Sequence, residues 1–192
     1  MSESVLIALV SALSGFIVAF LAEPVKTYFQ NRAKLMNLRI ALYKELAINY
    51  IVLDKLAPDD ASQFKWGGNN PSYALRTECY KHALESEYST FYQMKDANLI
   101  NLMMGIGIIQ IIEGFNYLRN LSDEQRSSAF PQFIEMYLNN STNYKNMFAS
   151  AFYHQRLDRK IITDFINKPT YESLMKRGKE YLASHASEES TN

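Results

Sequence analysis

The sequence predicts an all-α protein with one N-terminal transmembrane helix, a long stalk helix and a cytoplasmic helical bundle. Three observations predict it. Residues 5–22, VLIALVSALSGFIVAFLA, carry no charge. Apolar residues in the later segments recur at intervals of three and four, which gathers them on one face of a helix. No stretch shows the two-residue alternation of a half-buried strand.

A chain of 192 residues suffices for one sizeable core plus an appendage. Hydrophobic residues at 47% and charged residues at 21% are close to globular averages, so the chain as a whole is neither disordered nor polytopic. Twenty basic and twenty acidic residues cancel, which removes the global electrostatic drive toward a nucleic-acid duplex. Cys79 is the only cysteine, so no intramolecular disulfide can form. Thirteen Tyr and eleven Phe favour a bulky core in which Tyr keeps a polar tip for a hydrogen bond.

The anchor comes first, over residues 1–23. Crossing about 30 Å of hydrocarbon needs roughly 20 helical residues, and residues 5–22 come close to that. A cleaved secretory signal would want a basic start and a small residue three before the cut. Here the start is Met-Ser-Glu-Ser, and a cut after Ala22 would put Phe20 there. No Lys or Arg precedes the span, whereas Lys26, Arg32, Lys34, Arg39 and Lys44 follow it, so the C-terminal side is expected in the cytoplasm. The expected location is the inner membrane, with the N-terminus outside. Ala8, Ala12, Gly15, Ala19 and Ala22 share one face, and small residues there let two spanning helices approach closely.

The stalk occupies residues 24–57. The same spacing continues through Phe29, Ala33, Met36, Ile40, Tyr43, Ala47 and Tyr50, which suits either an inter-chain coiled coil or packing on the chain's own domain. Pro24 lacks a backbone donor, so the stalk is expected to be either continuous with the anchor or hinged at Pro24.

Residues 58–184 are expected to form the bundle, packed with the stalk. Turn-forming residues dominate from Ala57 to Pro71, after which Ser72 offers a cap for a helix burying Tyr73, Leu75, Tyr80, Ala83 and Leu84. Leu99–Ile112 is the densest apolar stretch; its fourteen residues, with Asn101, Gln110 and Glu113, suit a central bundle helix better than a second span. Ser122 and Gln125 make a capping box, and a helix should kink or restart at Pro131. A separate helix is expected after the polar run Asn139–Thr142, and a last one after Lys168-Pro169-Thr170. Residues 185–192 read as a disordered tail.

Chemistry-bearing patterns are sparse. Cys79 and His82 share a face but make half a zinc site, and a cysteine nucleophile would need an orienting third group. Gly105 and Gly107 lie in an apolar run without the strand, lysine and hydroxyl of a phosphate loop. No metal, cofactor or enzymatic activity is expected. Two basic groups are candidate anion sites, Arg156, Arg159 and Lys160 in one and Lys176, Arg177 and Lys179 in the other; lysine and arginine pair readily with phosphate oxygens.

These readings lead to a single-pass membrane-anchored interaction or signalling module, self-associating through anchor and stalk. A change in the bundle would pass mechanically along the stalk to the small-residue stripe. Its expected partners are the lipid bilayer, further copies of the chain, and a protein partner or small anionic ligand. The alternative is a nucleotide- or anion-gated effector that perturbs the membrane, similar in architecture to membrane effectors of bacterial antiviral defence.

Overall fold

The computed structural model describes residues 3–56, 74–93, 99, 108–129, 131–155 and 157–189. Every element among them is helical: α1 (Glu3–Leu56), α2 (Glu78–Glu85), α3 (Tyr88–Tyr92), α4 (Ile108–Asn120), α5 (Asp123–Ala129), α6 (Pro131–Tyr153), α7 (Arg159–Thr163) and α8 (Lys168–Glu189). The chain divides into two compact units, Met1–Asn37 and Leu38–Asn192.

The first unit is the N-terminal part of α1. The backbone stays helical through Pro24. Proline removes one donor, the one that would bond the carbonyl of Phe20, and the flanking turns hold the helix across that gap. Anchor and stalk therefore belong to a single element.

In the second unit, the C-terminal half of α1 is buried on two opposite faces. On one face, Glu45 and Asn49 meet the segment leading into α2. The Asn49 side chain donates to the Arg76 carbonyl at 2.9 Å and accepts from the Arg76 N–H at 2.7 Å. Asn116 of α4 treats Leu75 in the same way, accepting from its N–H at 2.9 Å and donating to its carbonyl at 2.7 Å. Two adjacent non-helical residues thus have their backbone groups satisfied by side-chain amides from two helices, in place of the helix expected from Ser72 onward. Ser72, Tyr73 and the turn-rich stretch from Ala57 to Pro71 lie outside the described residues, and α2 begins only at Glu78.

On the other face, Tyr43 packs edge-on against Phe152, their centroids 5.8 Å apart, and Phe152 meets Tyr171 of α8 at 6.2 Å. The Tyr50 hydroxyl lies 3.1 Å from that of Ser173, and Lys145, wholly buried, reaches the half-exposed Asp54 at 3.6 Å. Helices α6 and α8 approach closely at Gly178. A Cβ on Gly178 would stand 2.2 Å from the Ala149 carbonyl oxygen and 2.7 Å from Tyr153 Cβ, so only glycine permits this approach.

Local signals beyond these also have structural counterparts. Gln125 N–H donates to Ser122 Oγ at 3.2 Å and Ser122 N–H to Gln125 Oε1 at 3.1 Å, the reciprocal capping box ahead of α5. Arg126 closes that corner, bonding the carbonyls of Leu118 at 3.1 Å and Arg119 at 3.2 Å and pairing with Asp123. Helix α6 opens on Pro131, where a missing N–H costs nothing.

Three boundaries differ from the sequence expectations. Asn139–Thr142 does not end a helix, since α6 runs from Pro131 to Tyr153. Asparagine and serine cost only about 0.5 kcal/mol each against alanine in a helix, and the burial of Phe148, Ala149, Ala151 and Phe152 further along the same helix outweighs that. The last helix starts at Lys168, with Asn167 accepting from Thr170 N–H at 2.9 Å, so Pro169 sits in a first turn that tolerates it. It continues to Glu189, past His185 where the tail was expected to begin; Ser184 and His185 both bond back to the Tyr181 carbonyl. Of the Leu99–Ile112 stretch, residues 100–107, including Gly105 and Gly107, lie outside the described residues; Leu99 and Ile112 are buried.

Candidate membrane-facing surface

Helix α1 is long and apolar enough to cross a membrane, and none of its most apolar window is buried. The exposed large side chains run without relief: Val10, Leu13, Phe16, Ile17, Val18, Phe20 and Leu21 are each at least half exposed, Phe16 and Phe20 at 69%. Soluble domains rarely leave so many contiguous apolar residues uncovered. At about 25 cal/mol per Å² of apolar area, moving them out of water is a strong drive toward another phase or partner.

Within this surface Ala12, Gly15, Ala19 and Ala22 are exposed, and a Cβ placed on Gly15 would meet no atom within 4 Å. The glycine is not required by the chain's own packing. Its lack of a side chain leaves room for something outside the chain. Ser14 bonds the Ser11 carbonyl at 2.9 Å, so its hydroxyl is satisfied without water, as a hydrocarbon environment demands. Ala8 belongs to the same helix, but its side chain lies outside the described ones.

The stalk seam divides. Phe29, Ala33 and Met36 are exposed and Ile40 is half-buried, whereas Tyr43, Ala47 and Tyr50 are buried in the chain's own core. A seam that looks continuous in sequence thus faces outward before Leu38 and inward after it.

The six candidate anion-binding residues are engaged differently. Arg156 lies outside the described residues. Arg159 stacks over the Tyr171 ring at 5.3 Å, and Arg177 lies over Tyr50 at 6.0 Å. Lys176 pairs with Glu180 at 3.9 Å, while Lys160 and Lys179 are exposed. Arg177 faces α1 while its neighbours Lys176 and Lys179 face outward, so proximity in sequence does not make one cationic cluster of the three.

A cleft of about 420 Å³ opens beside Glu45, between α1 residues Ala41, Lys44 and Ile48 and the start of α2 at Glu78 and Cys79. The buried Glu45 carboxylate accepts the N–H groups of Cys79 at 2.8 Å and Tyr80 at 3.1 Å. It thereby caps α2 from another helix, where Thr77 makes no side-chain cap. Burial raises the Glu45 pKa above the usual carboxylate value, and the two backbone donors only partly offset that. Burial and the neighbouring Glu45 also push the Cys79 thiol up. A thiol held in its neutral form is a poor nucleophile, so the geometry does not prepare Cys79 for covalent chemistry. His82, three residues on, is exposed, and among the described residues no group of three or more His, Cys, Asp or Glu is placed to hold a metal ion.

Sequence reasoning missed Glu45, Asn49, Asn116 and Gly178. Their signals were weak: a carboxylate or amide on an otherwise apolar helical face, and a glycine within a basic run.

Comparison with models of protein families, with curated proteins and with solved structures finds no match.

Proposed function

We propose that this chain is a single-pass membrane-anchored helical module for interaction or signalling, with its bundle in the cytoplasm and its copies associated through the anchor. One observation carries the reading. Residues 7–29 of α1 expose large apolar side chains, and nothing else in the described chain covers them. The small-residue face at Ala12, Gly15, Ala19 and Ala22 supports close approach of a second anchor, because packing contacts replace the hydrophobic drive that lipid removes. Since α1 supplies both the anchor and a buried helix of the bundle, a partner that shifts α1 within the bundle acts on the same element that pairs in the membrane.

Orientation is tested with membrane-impermeant maleimide on intact cells, using single cysteines in a Cys79→Ser chain. Ser4→Cys should label from outside and Ser184→Cys only after lysis. The reverse pattern overturns the topology. Association is tested by the mass of the full chain in detergent, which should fall to that of a monomer on Gly15→Leu; a wild-type monomer would remove the pairing mechanism.

A further inference from the structure

We propose that the first turns of the stalk form a collar for anionic phospholipid headgroups, with Lys26 and Arg32 holding phosphate and Val25, Tyr28 and Phe29 seated at the hydrocarbon boundary. This rests on the membrane reading above and adds to it a lipid class and the residues that recognise it.

The apolar surface does not stop where the uncharged run ends. Val25, Tyr28 and Phe29 are each more than half exposed, with the two rings edge to face at 5.6 Å. From Ile7 to Phe29 a helix rises about 33 Å, which matches a hydrocarbon core of about 30 Å plus the first layer of headgroups. A bilayer centred on the anchor reaches these side chains without any other occupant. Tyrosine suits that depth, with an apolar ring inside and a hydroxyl in the wet layer.

The charges agree. Between Pro24 and Lys44 the sequence has Lys26, Arg32, Lys34, Arg39 and Lys44 and no carboxylate. The nearest acid, Glu23, lies 3.7 Å from Lys26, and both are largely exposed. Lys26 and Arg32 are exposed around the aromatic pair, and their long stems let the charged ends rise to the phosphate level.

A second copy of the chain fits this stretch less well. Carried forward at its own spacing, the small-residue face passes from Ala22 to Lys26, so a symmetric parallel pair would set Lys26 against itself. Turning the contact to Val25, Phe29 and Met36 brings Arg32 between them instead. Either register brings like charges together, whereas lipid phosphate neutralises them.

The test uses the full chain with Trp66→Phe, reconstituted in vesicles of equal parts phosphatidylcholine and phosphatidylglycerol, carrying a single tryptophan from either Tyr28→Trp or Phe16→Trp. Brominated lipids report depth and lipid class. The tryptophan at 28 should be quenched most by bromines near the headgroup, and that at 16 by bromines deep in the chains. Brominated phosphatidylglycerol should associate with the site at 28 several-fold more strongly than brominated phosphatidylcholine, up to about fivefold per cation. Lys26→Gln with Arg32→Gln should bring that ratio to one. Equal quenching by both lipid classes in the parent chain overturns the collar. So does a tryptophan at 28 shielded from all brominated lipid while that at 16 is quenched, a result that leaves the anchor standing and points to a second copy. If neither site is quenched, the membrane reading itself fails and the collar falls with it.

Discussion

The two halves of α1 are made of similar residues and meet opposite surroundings. Before Leu38 the helix exposes Phe16, Phe20 and Phe29; after it, Leu42, Tyr43, Leu46 and Ala47 are almost completely buried. The difference lies in what accompanies the apolar residues. The second half adds Glu45, Asn49 and Asp54, each aimed at a partner within the chain: the start of α2, the Arg76 backbone and Lys145. The first half has no such group between Ser4 and Glu23 apart from serines, of which Ser14 bonds its own helix. Polar residues specify a protein environment because each needs a directed bond. Their absence leaves a helix suited to a medium that offers none.

That contrast breaks most visibly at Phe152, where α1, α6 and α8 meet. Phe152→Ala should lower the stability of the bundle by about 3–5 kcal/mol, read as thermal unfolding of the full chain in detergent by circular dichroism. Gly178→Ala should cost about 2–3 kcal/mol in the same assay, because the added carbon meets the Ala149 carbonyl and one of the two helices must retreat. Asn49→Ala should cost about 2 kcal/mol, since it strands the Arg76 N–H and carbonyl together.

A smaller effect depends on pH. Burial raises the folded-state pKa of Glu45 above its unfolded value, so the folded state holds that proton more tightly. Its contribution is therefore fully present below the ordinary carboxylate pKa and declines as pH rises through the folded value. Unfolding midpoints measured from about pH 4 to 7 should show wild type gaining relative to Glu45→Gln toward the acid end; a difference that does not change with pH would contradict this.

The smallest effect sharpens the comparison from the other side. Phe16→Ala, deleting a side chain as large as Phe152, should leave bundle unfolding within about 0.5 kcal/mol of wild type, because the ring is 69% exposed, whereas that of Phe152 is wholly buried. A loss approaching that of Phe152→Ala would mean that the anchor is part of the core.

Much of the architecture was legible locally. An uncharged run, a reciprocal cap at Ser122 and Gln125, and a helix start at Pro131 depend on residues within a few positions of one another. The trans cap by Glu45 and the clamps by Asn49 and Asn116 were not, because their partners lie 27 to 41 residues away and an amide on a helix reads as a solvent-facing residue. Gly178 sat within Lys176-Arg177-Gly178-Lys179, where charge drew the attention. A mid-helix glycine costs about 1 kcal/mol, and that cost was the available hint of a close crossing. The stalk seam left two readings open for a related reason: spacing defines a face but not what covers it, and Tyr43 and Phe29 occupy the same face with different fates.

Whether residues 5–22 of α1 lie in lipid is tested most directly by alkaline carbonate extraction of membranes from cells making the full chain. The protein should stay in the pellet with integral markers. Recovery of the full-length chain in the wash would contradict it.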